Sequence, residues 1–171
     1  GALAVTGAED EVRRLAGIGE AASIALVGLG SGPVTANLLR RAAGSALRQL
    51  TGASRLAIAL PAATEEEVLA ILEGAAIGSY TFTKFRSAQP EKTKLPASDI
   101  TVLSQAAVTG DPVARAGIVA GAMHAVRDLV NTPPSHLYPE TFAAQARELA
   151  ADAPVTVTVL AHDELTAGGF G

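Results

Sequence analysis

The sequence predicts an α/β layered fold with a largely parallel sheet flanked by helices, then a long interdomain helix and a fragment of a second α/β domain. Three observations predict it. Compact apolar runs recur at residues 23–29, 55–60 and 99–103; segments with helical spacing of apolar residues lie between and after them; glycine or proline marks most changes from one to the other.

Residues 23–29 (SIALVGL) read as a buried strand ending in glycines, and residues 34–50 follow with helical spacing at Leu38, Leu39, Ala42, Ala46, Leu47 and Leu50. Residues 55–60 (RLAIAL) form the next strand and stop at Pro61. Thr64 caps a helix with Glu67 at the capping-box position, and Val68, Leu69, Ile71, Leu72 and Ala75 give it a buried face. Residues 79–85 (SYTFTKF) are a short strand or a helix exit, 87–96 an exposed loop, and 99–103 (DITVL) a strand. Asp111 and Pro112 start the longest predicted helix, which runs to about Val130. Residues 127–139 (RDLVNTPPSHLYP) interrupt the helical pattern; Pro133 and Pro134 force an extended path and Pro139 with Glu140 opens another helix. That helix covers residues 141–151, and VTVTVL at 155–160 puts Val155, Val157 and Val159 on one face of a strand.

A chain of 171 residues can bury one core with a second small unit. The absence of cysteine excludes disulfides and thiolate chemistry, and fits a reducing cytoplasm. A net charge of −4 and a pI of 5.3 argue against nucleic acid as the main partner. No apolar run reaches the roughly 20 residues of a membrane span, so a soluble, cytoplasmic protein is expected. Mean hydropathy of +0.31 is high for a monomer, and an oligomer interface is one outlet for such surface.

Gly28, Gly30 and Gly32 lie between a strand and a helix, where amides at a helix N-terminus hold phosphate. Pro33 breaks the dinucleotide fingerprint, so a tight strand-to-helix turn is the preferred reading. His124, His136 and His162 have no metal-ligand spacing; His124 reads as a helix side chain near an interface and His136 as a turn residue. Glu65, Glu66 and Glu67, like Asp163 and Glu164, fit first turns of helices, where negative charge complements the dipole. Arg127, Asp128, Asn131 and His136 crowd one rigid segment that reads as a joint between domains. No nucleophile elbow, HExxH or P-loop is present, so no catalytic, cofactor-binding or metal residue is assigned.

The blocks VGLG (27–30), RRAAGSALRQL (40–50), EGAAIGSYTF (73–82), RDLVNTPPSHLYPETFA (127–143) and LTAGGFG (165–171) resemble the leucyl (cytosol) aminopeptidase family in order and spacing. Tyr138 stands where many members have threonine. The resemblance implies a homohexameric metalloenzyme that removes N-terminal residues from peptides in intracellular protein turnover, using two divalent ions, Mn²⁺ or Zn²⁺. Its ligands and catalytic residues lie in blocks like GKGITFDTGG and NTDAEGR, absent here, so this chain alone is expected to bind no metal and to be inactive. The implied organisation is an accessory domain at 1–110 lacking its first elements, an interdomain helix at 111–130, and the first helix and strand of a truncated catalytic domain at 131–171. The alternative is an assembly, regulatory or DNA-binding module, a DNA role being known for some bacterial members.

Overall fold

The structure is a computed structural model and describes residues 5–17, 23–85 and 93–170. It is mixed α/β and divides into two units, residues 1–126 and 127–171.

The first unit opens with a hairpin. Strand β1 (Val12–Ala16) pairs antiparallel with β2 (Ser23–Val27), Val12 opposite Val27 and Ala16 opposite Ser23. The sequence carries no alternation that announces β1, because Arg13 and Arg14 are both exposed while Val12 and Leu15 are half-buried. Asp10 takes φ 66° in the turn before it, a conformation in which a short polar side chain is tolerated.

Helix α1 (Ala36–Gln49) begins where Thr35 accepts the Leu38 amide at 3.2 Å, and it buries Leu39, Ala43 and Leu47 completely. Strand β3 (Arg55–Ile58) follows, then helix α2 (Glu65–Gly78). The expected capping box is present at α2: Glu67 accepts the Thr64 amide at 3.1 Å and the Ala63 amide at 2.7 Å, while Thr64 Oγ accepts the Glu67 amide at 3.3 Å. Residues 79–83 leave the helix as irregular chain, which decides between the two readings of that stretch. Of the loop expected at 87–96, residues 87–92 lie outside the described residues, and 93–96 are irregular. Strand β4 (Asp99–Val102) pairs parallel with β3, Arg55 opposite Asp99.

Leu39, Ala43 and Leu47 of α1, Ile58 of β3, Ile71 and Ala75 of α2, and Ala97 make one core, with Leu56 and Ile100 packed against it. The two helices approach closely through glycine. A Cβ on Gly74 would collide with the Arg40 carbonyl, and one on Gly78 with the backbone of Gly44.

The single, largely parallel sheet of the sequence reading takes a different form here. Among the described residues there are two two-stranded pieces, β1 with β2 antiparallel and β3 with β4 parallel.

Helix α3 (Pro112–Asn131) is, as expected, the longest. Asp111 Oδ1 accepts the Ala114 amide at 2.9 Å at its start, and Ala116 and Ala120 are buried. In the second unit, α4 (Pro139–Ala150) and the short α5 (His162–Ala167) are formed. The strand expected at 155–160 is not: those residues are irregular chain that joins no ladder among the described residues, and Val155 is 61% exposed. A strand needs a neighbour to satisfy its amides, and among the described residues none is available.

Candidate functional site

The glycine turn after β2 is the first place to test for a ligand. Its amides are already used by the protein: Gly28 donates to the Glu11 carbonyl and Gly30 to the Gly7 carbonyl, both at 2.8 Å. A side chain on Gly28 would strike the Ala8 carbonyl, and Gly30 needs its φ of 72°. The glycines therefore let residues 7–11 pack against the turn, and the Gly28 and Gly30 amides are not available to a phosphate.

That same loop is pinned by Glu11. Its carboxylate accepts Thr6 Oγ at 2.7 Å, the Thr6 amide at 2.9 Å and the Gly7 amide at 2.7 Å, and pairs with Arg13 at 3.0 Å. The Thr6 hydroxyl, chief among these donors, holds the carboxyl well below its ordinary value, at about 2.

The histidines are separated in function as in sequence. His124 on α3 places Nε2 3.0 Å from the Ala76 carbonyl and tilts its ring against Tyr80, centroids 5.2 Å apart, so it fastens α3 to the end of α2. His136 Nδ1 lies 3.0 Å from Ser135 Oγ in the turn before α4, and His162 is the first residue of α5. Among the described residues no three His, Asp or Glu side chains converge as metal ligands would.

The acidic first turns are occupied structurally. Glu65 accepts the Thr109 amide at 3.1 Å and its hydroxyl at 3.0 Å, and Glu164 accepts the Ala161 amide at 2.7 Å.

Residues 127–139 run from the last turn of α3 through a hydrogen-bonded turn to the start of α4. Thr132 donates from its amide at 3.0 Å and its hydroxyl at 2.7 Å to the Asp128 carbonyl, ending α3. The His136 and Leu137 amides donate to the Pro133 carbonyl at 2.9 and 3.0 Å. Thr141 Oγ accepts the Tyr138 amide at 2.9 Å and fixes the start of α4.

One charged cluster was missed by the sequence reading. Glu73 on α2, 9% exposed, accepts Arg40 Nε at 3.1 Å and Nη2 at 3.0 Å, and Arg115 Nε on α3 lies 3.9 Å from its other oxygen. The only signal was an acid amid the apolar residues of a helix. The cluster joins three helices, with both carboxylate oxygens facing arginines.

A cleft of about 700 Å³ opens along β2 and β3, and among the described residues its polar side chains are Arg14, Ser23 and Arg55. The described residues of its walls include no acid and no histidine, so they offer neither a proton-transfer pair nor metal donors.

Known proteins supply the identification that this geometry lacks. A profile of the "Cytosol aminopeptidase family, N-terminal domain" matches residues 2–89. A Clavibacter michiganensis protein named "Probable cytosol aminopeptidase" is 47% identical over 99% of this chain, which spans 35% of that relative. The bottromycin maturation enzyme BotP, solved in complex with Mn, superposes with TM-score 0.75 at 29% identity, over 96% of this chain and 35% of that one. A tomato leucine aminopeptidase mutant, at 24% identity and TM-score 0.69 over 95% of this chain and 34% of its own, shares the fold. This chain therefore belongs to the cytosol, or leucyl, aminopeptidase family and represents its N-terminal region, about a third of the length of such relatives.

Proposed function

We propose that this chain is the N-terminal part of a metal-dependent leucyl aminopeptidase acting on peptides in the cytoplasm, and that its own role is domain packing and assembly. The observation that carries the reading is 47% identity to a cytosol aminopeptidase homologue along 99% of the chain.

In this reading residues 1–110 are an accessory domain, 111–130 the interdomain helix and 131–171 the beginning of the catalytic domain. The turn between α3 and α4 supports it, because its hydrogen bonds end α3 and fix the entry to α4. The Mn complex of BotP supports a metal requirement for the whole polypeptide, with two divalent ions, Mn²⁺ or Zn²⁺, polarising the scissile carbonyl and activating water. The described residues do not fit such a pair of ions, so no ligand or step is assigned to them. The chain's task is to hold shape for chemistry done beyond Gly171.

Assembly into a homo-oligomer, a hexamer by family resemblance, is supported by apolar exposure along α3, where Val113 is 66% and Ile118 74% exposed. The alternative of a DNA-binding module is disfavoured by the net charge of −4.

The test is an assay of the polypeptide continued past Gly171 through its coding sequence. Release of leucine from a chromogenic amide, dependent on Mn²⁺ and abolished by chelation, is expected. A folded longer protein without that activity, giving a salt-sensitive DNA gel shift instead, would favour the alternative.

A further inference from the structure

Helix α3 is long, yet it meets α2 through small side chains. Only Ala116 and Ala120 of its described residues are buried, while Val113, Ile118, Met123 and Val126 are exposed. None of them belongs to the core that α1 and α2 build with Ile58 and Ala97. A crevice of about 120 Å³ runs between Glu65 and Leu69 of α2 and Pro112 and Arg115 of α3, so the two helices do not close on each other at that end. Two alanines bury little apolar area, and a seam with a gap forfeits dispersion contacts.

Polar clips add to this docking, and each leaves its partner satisfied when it opens. Arg115 Nε lies 3.9 Å from one Glu73 oxygen, and that carboxylate keeps both of its bonds to Arg40 whether or not Arg115 is beside it. An exposed arginine at that distance adds little. His124 Nε2 lies 3.0 Å from the carbonyl of Ala76, in the last turn of α2, and the same oxygen accepts the Ser79 hydroxyl at 2.7 Å. Undocking thus strands neither a buried acid nor an orphaned carbonyl, the two costs that ordinarily keep a polar contact closed.

The start of α3 has the parts of a hinge. Thr109 is pinned by Glu65 of α2, which accepts its amide at 3.1 Å and its hydroxyl at 3.0 Å. Gly110 follows at φ 66° with open space where a side chain would stand, and Asp111 caps the helix by accepting the Ala114 amide at 2.9 Å. A pinned residue, a glycine and a capped helix let the chain turn at one position without unwinding on either side. We propose that α3 is a strap that undocks from α2 by turning at Gly110 while the α1 and α2 core stays folded. Its latch is His124, which rests against Tyr80 with ring centroids 5.2 Å apart.

The aminopeptidase reading plays no part in this inference, and its test reads thiol accessibility rather than turnover. The chain has no cysteine, so a single introduced thiol reports on one place. Ala120→Cys lies on the buried face of the strap and Ala43→Cys in the core; Ala116→Cys and Ala97→Cys replace them where either fails to fold. In residues 1–171 the strap thiol should react with an aromatic disulfide reagent at least ~100-fold faster than the core thiol. Its rate should also depend less steeply on urea, because undocking exposes less surface than unfolding. His124→Ala should quicken the strap thiol about 10-fold and leave the core thiol unchanged, and His124→Gln, whose amide can still donate to the Ala76 carbonyl, should recover most of the difference. Equal rates and equal urea slopes at the two thiols overturn the strap, since α3 would then open only with the core. Acceleration of both thiols by the same factor overturns the latch, because His124 would then serve the stability of the whole unit.

Discussion

Glu11 shows how much one side chain can organise. Thr6, Gly7 and Arg13 all donate to it, and with its pKa near 2 against an ordinary 4.5 the native state favours the charged form. The depressed pKa means that Glu11 contributes its full stabilisation above pH 4.5 and loses it as pH falls toward 2. Glu11→Gln should therefore flatten the decline of melting temperature over that window, and an unchanged slope would show that the carboxylate is not held. Glu73 differs in being nearly buried. Glu73→Ala removes two charged hydrogen bonds to Arg40 and should cost about 1.5–3 kcal/mol in urea unfolding; a change below about 0.5 kcal/mol would mean that Arg40 finds water at no loss. Neither partner set was legible in the sequence, since Thr6 is five residues from Glu11 and Arg40 is 33 from Glu73. The capping pair Thr64 and Glu67 was legible because its geometry is local.

Elements announced themselves where their pattern was periodic or punctuated. Helices α1, α2 and α3 were read from apolar spacing and caps, and α3 emerged within a residue of its expected limits. Strand β1 escaped notice because its inward positions, Val12 and Leu15, do not alternate. The glycines of α1 and α2 looked like ordinary small residues in an alanine-rich chain, yet Gly74 is where the Arg40 carbonyl comes closest. Gly74→Ala gains up to about 1 kcal/mol in helix propensity. The collision with backbone outweighs that gain, and a net loss of about 1–3 kcal/mol is expected in denaturant unfolding. A stabilised variant would show that the two helices separate freely.

For the molecule as a whole, local sequence identified strands but could not pair them. Residues 23–27 and 55–58 were both recognisable, while in place of the one expected sheet the described residues form two strand pairs bordering a cleft. Pairing depends on neighbours remote in sequence, and the same dependence leaves residues 155–160 irregular and unladdered among the described residues. Family membership was legible in blocks such as residues 127–143, whose proline turn is rarely matched by composition alone. A site was not, because the Gly28 and Gly30 amides bond to the protein's own carbonyls and no three described His, Asp or Glu side chains converge. The central claim is that the chain contributes framework while catalysis belongs to sequence beyond it. Its most direct test is leucine release from a chromogenic amide by purified residues 1–171 with excess Mn²⁺. The account predicts a rate indistinguishable from the metal-only blank; turnover above that blank, lost on chelation, would contradict it.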